Sequence, residues 1–237
     1  MLAIRLLVLA LFMTHSVAAA MPTSQRAELA IANIEPALKK QLVAKQLKYG
    51  SEIFIRIFKE PGVLELWVKG ESEKIALFKR YPICAFSGQL GPKLKEGDKQ
   101  SPEGFYYVGP RQLNPRSRFH LSFNLGFPNR YDQHHGRTGS ALMVHGNCVS
   151  IGCYAMTDAY VEEIYALAVA ALKGGQPFFR VHIFPFALED EALKPYIGNP
   201  NFRFWQNLKQ GYDYFEAEGQ PPNVNVKNGQ YVFGPNI

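Results

Sequence analysis

The stretch Ala141-Leu-Met-Val-His145-Gly-Asn-Cys148-Val-Ser150-Ile-Gly152-Cys153-Tyr-Ala-Met156 carries a histidine and two cysteines just after a short apolar run. The run from Ala141 to Val144 is typical of a buried strand that ends at a glycine turn. An imidazole within hydrogen-bond reach activates a cysteine by taking its proton, so His145 and Cys153 could form a thiol active site across one loop. The alternative is structural: a hydrogen-bonded histidine at a strand end, a buried thiol and a disulfide.

The chain contains three cysteines, Cys84, Cys148 and Cys153. An odd number leaves at least one thiol unpaired, and in an oxidising compartment that thiol is a candidate reactive group. Three pairings are possible, and only a Cys84–Cys148 disulfide leaves Cys153 free. Three free thiols remain the alternative.

Residues 1–20 differ from the rest of the chain. Arg5 precedes an apolar run from Leu6 to Met13, and the segment ends in Ala18-Ala19-Ala20. This pattern predicts a secretory signal peptide that is cleaved after Ala20. A retained anchor is the alternative, but the apolar run is too short for a stable membrane span. We therefore expect an exported protein.

The composition is that of a globular protein with a basic surface. Of the 237 residues, 47% are hydrophobic and 13% aromatic, which is enough for a substantial core. The net charge of +6 favours an anionic partner such as an acidic wall polymer or a membrane surface, or it is simply a basic surface that binds nothing. No basic and aromatic stripe of a known module is present, so we expect no nucleic-acid partner.

Hydrophobic spacing predicts a chain with more strands than helices. A lead-in helix is predicted within residues 24–47, broken at Pro36, and the best helix follows Thr157 and stops at Gly174-Gly175. Residues 88–104, rich in Gly, Pro, Lys and Ser, predict a long surface loop. Strands are predicted, in chain order, at 51–58, 64–68, 74–83, 84–87, 105–108, 119–125, 141–144, 178–184 and in a hairpin around Asn228-Gly229, with short helices at 187–194 and 202–209.

The central motif resembles that of the L,D-transpeptidase catalytic domain (YkuD type). The matching residues are His145-Gly146, Ser150, Gly152 and Cys153, preceded by Ser101-Pro102-Glu103-Gly104-Phe105-Tyr106. The resemblance implies a mainly β (β-rich α+β) sandwich or barrel with a helix after the catalytic cysteine. It divides the chain into a signal peptide (1–20), a helical lead-in (21–50), a catalytic domain (51–186) and a C-terminal extension (187–237).

The resemblance also implies a reaction and its residues. The motif looks like that of a divergent exported branch associated with release of wall-attached lipoprotein. In such an enzyme Cys153 attacks the diaminopimelate carbonyl of a peptidoglycan stem peptide and His145 is the base. The expected supporting residues are Gly146, whose carbonyl would fix the imidazole tautomer, Gly152, for the oxyanion site together with the Cys153 N–H, Ser150, which would brace the loop, and Tyr154, for the substrate pocket. The expected location is the periplasm, and no cofactor or metal is expected.

The motif departs from the common family pattern in three ways. Ile151 stands where the pattern has a second histidine, Ala155 stands where it has an arginine, and the spacing from His145 to Cys153 is shorter. Because an arginine binds a carboxylate through a bidentate contact, its loss predicts a different choice of substrate.

The motif is also compatible with two other kinds of site. His145, Cys148 and Cys153 could ligate zinc, but the remaining histidines show no matching pair spacing. The fold could also serve as a non-catalytic peptidoglycan-binding module. Such a module has no need for both His145 and Cys153, which favours the enzyme.

Overall fold

A computed structural model describes residues 21–71 and 74–234, so the predicted signal peptide lies outside the described residues. Within them the chain forms twelve strands and five α-helices, which confirms the predicted mainly β, α+β class. The strands are β1 (Ile53–Phe58), β2 (Val63–Lys69), β3 (Ile75–Pro82), β4 (Ala85–Phe86), β5 (Gly104–Val108), β6 (Leu113–Asn114), β7 (Ser122–Asn124), β8 (Met143–His145), β9 (Tyr154–Ala155), β10 (Phe179–Phe184), β11 (Asn223–Lys227) and β12 (Gln230–Gly234). The α-helices are α1 (Gln25–Val43), α2 (Arg130–His134), α3 (Asp158–Lys173), α4 (Asp190–Leu193) and α5 (Phe202–Glu218).

The first sheet has the strand order β3-β2-β1-β10-β5, and its one parallel pair is β1 with β10. The isoleucines of β1 join a core shared with α3, while Phe58, on the opposite face of β1, joins a second core built with α5. All six residues of β1 are therefore buried. The alternating residue pattern of β1 predicts the strand correctly, but both faces of the strand are covered by other parts of the protein.

The second sheet carries the motif and has the strand order β4-β9-β8-β7-β6. Here β8 and β9 are parallel, with Val144 opposite Tyr154 and His145 opposite Ala155. Only residues 146–153 connect them, whereas parallel neighbours ordinarily need a connection of a dozen or more residues. This return loop, residues 146–153, brings the chain back beside the strand that it has just left.

Helix α1 begins after Ser24, whose side chain accepts a hydrogen bond from the Ala27 N–H. The predicted break at Pro36 is wrong, because α1 continues through this residue to Val43. Proline removes one N–H from the helix, but Pro36 is exposed, so the carbonyl that it leaves unpaired can be hydrated. Apolar residues on the other side pack against the core and hold the helix together.

The C-terminal segment covers the outer face of the first sheet. Helix α5 is longer than predicted and continues past Gly211 to Glu218. A Cβ at Gly211 would overlap the rings of Phe105 and Phe233, so this glycine permits close packing rather than ending the helix. Helix α4 is shorter than predicted and leads into a 3-10 turn, Lys194–Tyr196. The domain boundaries at residues 50 and 186 stay a prediction.

Residues 88–104 form an irregular segment, as predicted, but not a purely surface one. Lys93, Ser101 and Glu103 are buried, and each makes polar contacts inside the protein. The content of Gly, Pro and Lys predicts a solvated loop, but composition does not show which polar side chains find partners inside the protein. Helix α2, which Asn129 caps, also has no counterpart in the predicted elements.

Candidate active site

Cys153 is the one free thiol among the described residues. Cys84 and Cys148 form a disulfide with Cα atoms 5.2 Å apart, and Cys153 is partly exposed. Of the pairings that the sequence allowed, the structure therefore has the one that leaves Cys153 available for chemistry.

The Cys153 thiol lies one residue before β9 and contacts the backbone of β8 and its approach. Its Sγ accepts a hydrogen bond from the Met143 N–H at 3.4 Å and lies 3.8 Å from the Ala141 carbonyl oxygen. Burial raises the pKa of the thiol, and the Met143 N–H and the positive charge of Lys93 offset this only in part. At neutral pH the resting group is therefore the thiol, and it needs a base to become a nucleophile.

His145 is a buried imidazole at the end of β8, with 2% of its surface exposed. Its Nδ1 lies 2.6 Å from the Gly146 carbonyl oxygen, and its ring stacks on Phe119 with centroids 4.6 Å apart. A carbonyl oxygen can only accept, so Nδ1 carries the proton and Nε2 keeps its lone pair. Burial lowers the pKa of His145, and the Gly146 carbonyl opposes this only in part. The neutral imidazole can therefore act as a base through Nε2.

The two side chains lie on one face of the β8–β9 pair. Ala155 is opposite His145, and Cys153 is two residues before Ala155, so strand alternation places Cys153 diagonally from the histidine. In the described part of the chain the thiol hydrogen-bonds the β8 backbone and not the imidazole.

Hydroxyl groups from three segments hold the return loop. The Ser150 hydroxyl donates to the Cys153 carbonyl at 2.8 Å, and Ser101 donates to the same oxygen at 3.0 Å. Ser87 donates to the Ser150 oxygen at 2.8 Å, and the Gly152 N–H reaches that oxygen at 3.2 Å. The Ser101 contact joins the segment at residues 101–106 to the loop that carries the thiol.

The structure changes the expected role of Tyr154 and not that of Gly146. The Gly146 carbonyl oxygen lies 2.6 Å from His145 Nδ1, the contact expected to fix the imidazole tautomer, and the Gly146 N–H donates to the carbonyls of Phe119 and Leu121. Tyr154 is fully buried, and its hydroxyl donates to the Pro102 carbonyl at 2.7 Å. It therefore supports the loop from the core and does not line an open pocket.

The two unusual positions of the motif have opposite surroundings. Ile151 is 83% exposed and Val149 is 53% exposed, so the return loop presents apolar side chains to solvent beside the thiol. Ala155 is fully buried between Ala85 and His145 in the sheet, where a long charged side chain would not fit. A cation that binds substrate has to come from another part of the chain.

The sequence-derived zinc alternative fails on the chemistry of its ligands. Cys148 is bonded to Cys84 and is not available as a thiolate. His134 and His135 lie at α2, beside the C-terminal hairpin, where His135 contacts the Gly229 carbonyl.

Several contributors to the site gave no clear signal in the sequence. Phe119 supports the imidazole, Ser87 supports Ser150, and Lys93 places a positive charge near the thiol. Lys93 is itself buried and paired with Asp98 at 2.5 Å. Each is remote in sequence from the motif, so only the fold identifies them.

Comparison with known proteins gives one family. A family model described as the L,D-transpeptidase catalytic domain (YkuD) matches residues 54–183. A protein of Escherichia coli (strain K12) named "Putative L,D-transpeptidase YafK" is 50% identical over 189 residues, which cover 79% of this chain and 76% of that protein.

Two solved structures show weaker likeness. The helical cell shape determining protein Pgp2 from Campylobacter jejuni is 16% identical with a TM-score of 0.47, covering 85% of this chain and 80% of Pgp2. Bdellovibrio bacteriovorus Bd1075 is 17% identical with a TM-score of 0.41, covering 75% of this chain and 78% of that one.

Proposed function

This chain belongs to the L,D-transpeptidase catalytic domain family, and from that premise we propose that it is a cysteine-dependent acyl-transfer enzyme of peptidoglycan. Cys153 is the nucleophile, His145 is the general base, and the acyl donor is a stem peptide with a diaminopimelate residue. The observation that carries the proposal is a free thiol just before β9 and, at the end of the paired strand β8, a buried imidazole whose Nδ1 is bonded to a carbonyl, which leaves Nε2 basic.

The first half-reaction forms a thioester. His145 Nε2 takes the Cys153 proton as Sγ attacks the diaminopimelate carbonyl, and a C–S bond forms. The imidazolium then gives this proton to the leaving nitrogen, the C–N bond breaks, and an amine departs. Since the resting thiol and imidazole are both neutral, proton transfer accompanies the attack and no thiolate is stored beforehand.

The oxyanion of the tetrahedral intermediate needs donors close to Sγ. The Cys153 N–H is our candidate, because the Gly146 and Gly152 N–H groups already have partners. The Ser150 and Ser101 hydroxyls contribute indirectly by holding the Cys153 carbonyl in place. Removing one oxyanion donor typically costs about 2.7–4 kcal/mol of barrier.

The second half-reaction decides the product. An amine that attacks the thioester gives transpeptidation, and water gives hydrolysis, including hydrolytic release of a wall-attached lipoprotein. His145 activates either acceptor by taking its proton, and Cys153 leaves as the thiol. The thioester intermediate is common to both outcomes.

We further propose that the enzyme works in the periplasm after removal of residues 1–20. A disulfide such as Cys84–Cys148 persists in oxidising compartments and is rare in the cytosol. Within residues 21–71 and 74–234, the helices are all too short or too polar to span a bilayer.

The test compares products from two substrates. Purified protein is incubated with muropeptides that carry a bound lipoprotein remnant and, separately, with tetrapeptide stems, and products are identified by mass spectrometry. Loss of the remnant indicates hydrolysis, and new dimers indicate transpeptidation. Cys153→Ala and His145→Gln are expected to abolish both, whereas His134→Gln, a change at an exposed histidine outside the site, is expected to keep them. Absence of both products, or full activity of Cys153→Ala, would refute the proposal.

A further inference from the structure

An open groove of about 590 Å³ begins beside the thiol. Its lining includes Ala141 and Met143, whose backbone groups contact Cys153 Sγ. It continues along the second sheet to Asn124 on β7, Asn114 on β6 and Arg111 in the turn before β6. A substrate whose carbonyl lies at Sγ can therefore extend along this groove.

Two asparagine side chains in the groove have their oxygens already engaged. Asn114 Oδ1 accepts the Arg116 N–H at 3.2 Å, and Asn124 Oδ1 accepts the Gly126 N–H at 2.8 Å. The amide N–H groups of both asparagines therefore remain available, and the described residues that line the groove include no aspartate or glutamate. A surface of this kind is complementary to an anion.

Arg111 is the cation of this groove. It is exposed, and among the described residues neither a carboxylate nor an aromatic ring contacts it. Lys93, the positive charge that acts on the thiol, is neutralised by Asp98. Ala155 leaves no room for a cation inside the sheet. Arg111 is thus the groove's free partner for a negative charge.

The backbone that carries Arg111 is fixed in place. It lies in the 3-10 turn Pro110–Gln112, where Gln112 Oε1 accepts the Gly109 N–H at 2.9 Å. The Gln112 Nε2 donates to the carbonyls of Tyr107 at 2.8 Å and Asn124 at 2.9 Å. These contacts join the turn to β5 and β7, so a planar guanidinium is presented from a rigid element.

We propose that Arg111 binds the free carboxylate at the end of the diaminopimelate side chain and so selects stem peptides that carry it. The inference rests on the proposed function, because it takes the diaminopimelate carbonyl to lie at Cys153. Lysine is the same residue without that carboxylate, so a lysine-containing stem lacks the group that Arg111 recognises. A bidentate guanidinium–carboxylate contact supplies both orientation and affinity.

The test measures binding apart from turnover. Full-chain protein with Cys153→Ala is titrated calorimetrically with two tetrapeptide stems that differ only in diaminopimelate or lysine at the third position. We expect the diaminopimelate stem to bind about 10- to 100-fold more tightly, because a hydrogen bond between charged groups contributes affinity of this size. Adding Arg111→Gln is expected to reduce this ratio to about threefold or less, and Arg111→Lys to give an intermediate ratio.

Arg116→Gln is the matched control, because Arg116 is exposed on the same segment but lies outside the groove lining. It should leave the ratio unchanged. Equal binding of the two stems to the Cys153→Ala protein, no measurable binding of either, or an unchanged ratio in Arg111→Gln would each overturn the inference.

Product analysis of the same Arg111 and Arg116 variants with Cys153 intact separates the two proposals. Arg111-dependent selective binding without product formation would refute the proposed reaction and keep the binding inference. Product formation at equal rates from both stems, unchanged in Arg111→Gln, would refute the binding inference and keep the proposed reaction.

Discussion

Glu103→Gln should destabilise the protein far more than an ordinary polar substitution. The side chains of Lys59 and Glu103 have no exposed surface, and their charged atoms are 3.0 Å apart. Glu103 also accepts the Gly91 N–H at 2.7 Å and the Trp205 Nε1–H at 2.8 Å, so it joins the first sheet, the segment at residues 88–104 and α5. Burial lowers the pKa of Lys59, and the Glu103 carboxylate is the main influence that opposes this.

The magnitude follows from what remains after the change. Glutamine is neutral and keeps one acceptor oxygen, so the Lys59 ammonium loses its anionic partner and keeps the carbonyls of Gln89 and Gly91, and one of the three donors to Glu103 faces an amide N–H. Breaking a buried ion pair by removing one partner costs about 3–5 kcal/mol. A typical domain has a free energy of unfolding of only about 5–15 kcal/mol. Ser101, which donates to the Cys153 carbonyl, lies two residues away, so we also expect slower acyl transfer.

Urea unfolding followed by tryptophan fluorescence measures the loss, and Lys59→Met with the double variant completes the cycle. Lys59→Met alone leaves a buried carboxylate, whereas the double variant leaves neither charge. We expect the double variant to lose less than the sum of the single losses. A decrease in the free energy of unfolding of less than about 1 kcal/mol for Glu103→Gln, or additive decreases in the double variant, would show that Lys59 and Glu103 do not act as a buried ion pair.

Three further predictions concern titration and cross-linking. The rate of Cys153 alkylation by iodoacetamide should rise with pH through a midpoint above that of an exposed cysteine, because burial raises the pKa of the Cys153 thiol. A midpoint at or below that of an exposed cysteine would contradict this. Burial lowers the pKa of His182, whose ring nitrogens have no partner among the described residues, so its contribution to stability is complete above the unfolded pKa and is lost as pH falls below it. Below about pH 6.5 this histidine should therefore lower the free energy of unfolding by about 1.4 kcal/mol per pH unit, and urea titrations should show that His182→Phe abolishes this decrease. An unchanged acid slope in His182→Phe would count against the assignment. Replacing Cys84 and Cys148 by alanine removes a cross-link across 64 residues and should lower the free energy of unfolding by about 4 kcal/mol in the same assay, while a loss below about 1 kcal/mol would indicate that the reduced chain is already restrained.

The strands, the main helices and the motif could be predicted because they depend on local signals. Ser24 and Thr157 cap helices as their side chains predict, and the Asn228-Gly229 turn joins β11 to β12. The family assignment from the motif around His145 and Cys153 is confirmed by the family model and the Escherichia coli relative. The catalytic roles of these residues stay a prediction.

What failed depends on contacts between distant segments. The helix passes through Pro36 because its other face is buried, and α5 continues past Gly211 because the glycine makes room for Phe105. The resemblance placed Tyr154 in the substrate pocket, but alternation turns its side chain into the core. Arg111 belongs to no motif in the sequence, since its position in the groove requires the β6–β7 pairing.

The short return loop between β8 and β9 has a consequence for how this site can change by mutation. Its length is set by two parallel strands that must meet again after residues 146–153, and the Cys84–Cys148 disulfide anchors its middle. An inserted or deleted residue would shift Cys153 out of register with His145, because each step along a strand turns a side chain to the opposite face. The exposed side chains of Val149 and Ile151 carry no such restriction. We therefore expect this loop to diversify by substitution at these exposed positions and to reject every change in length.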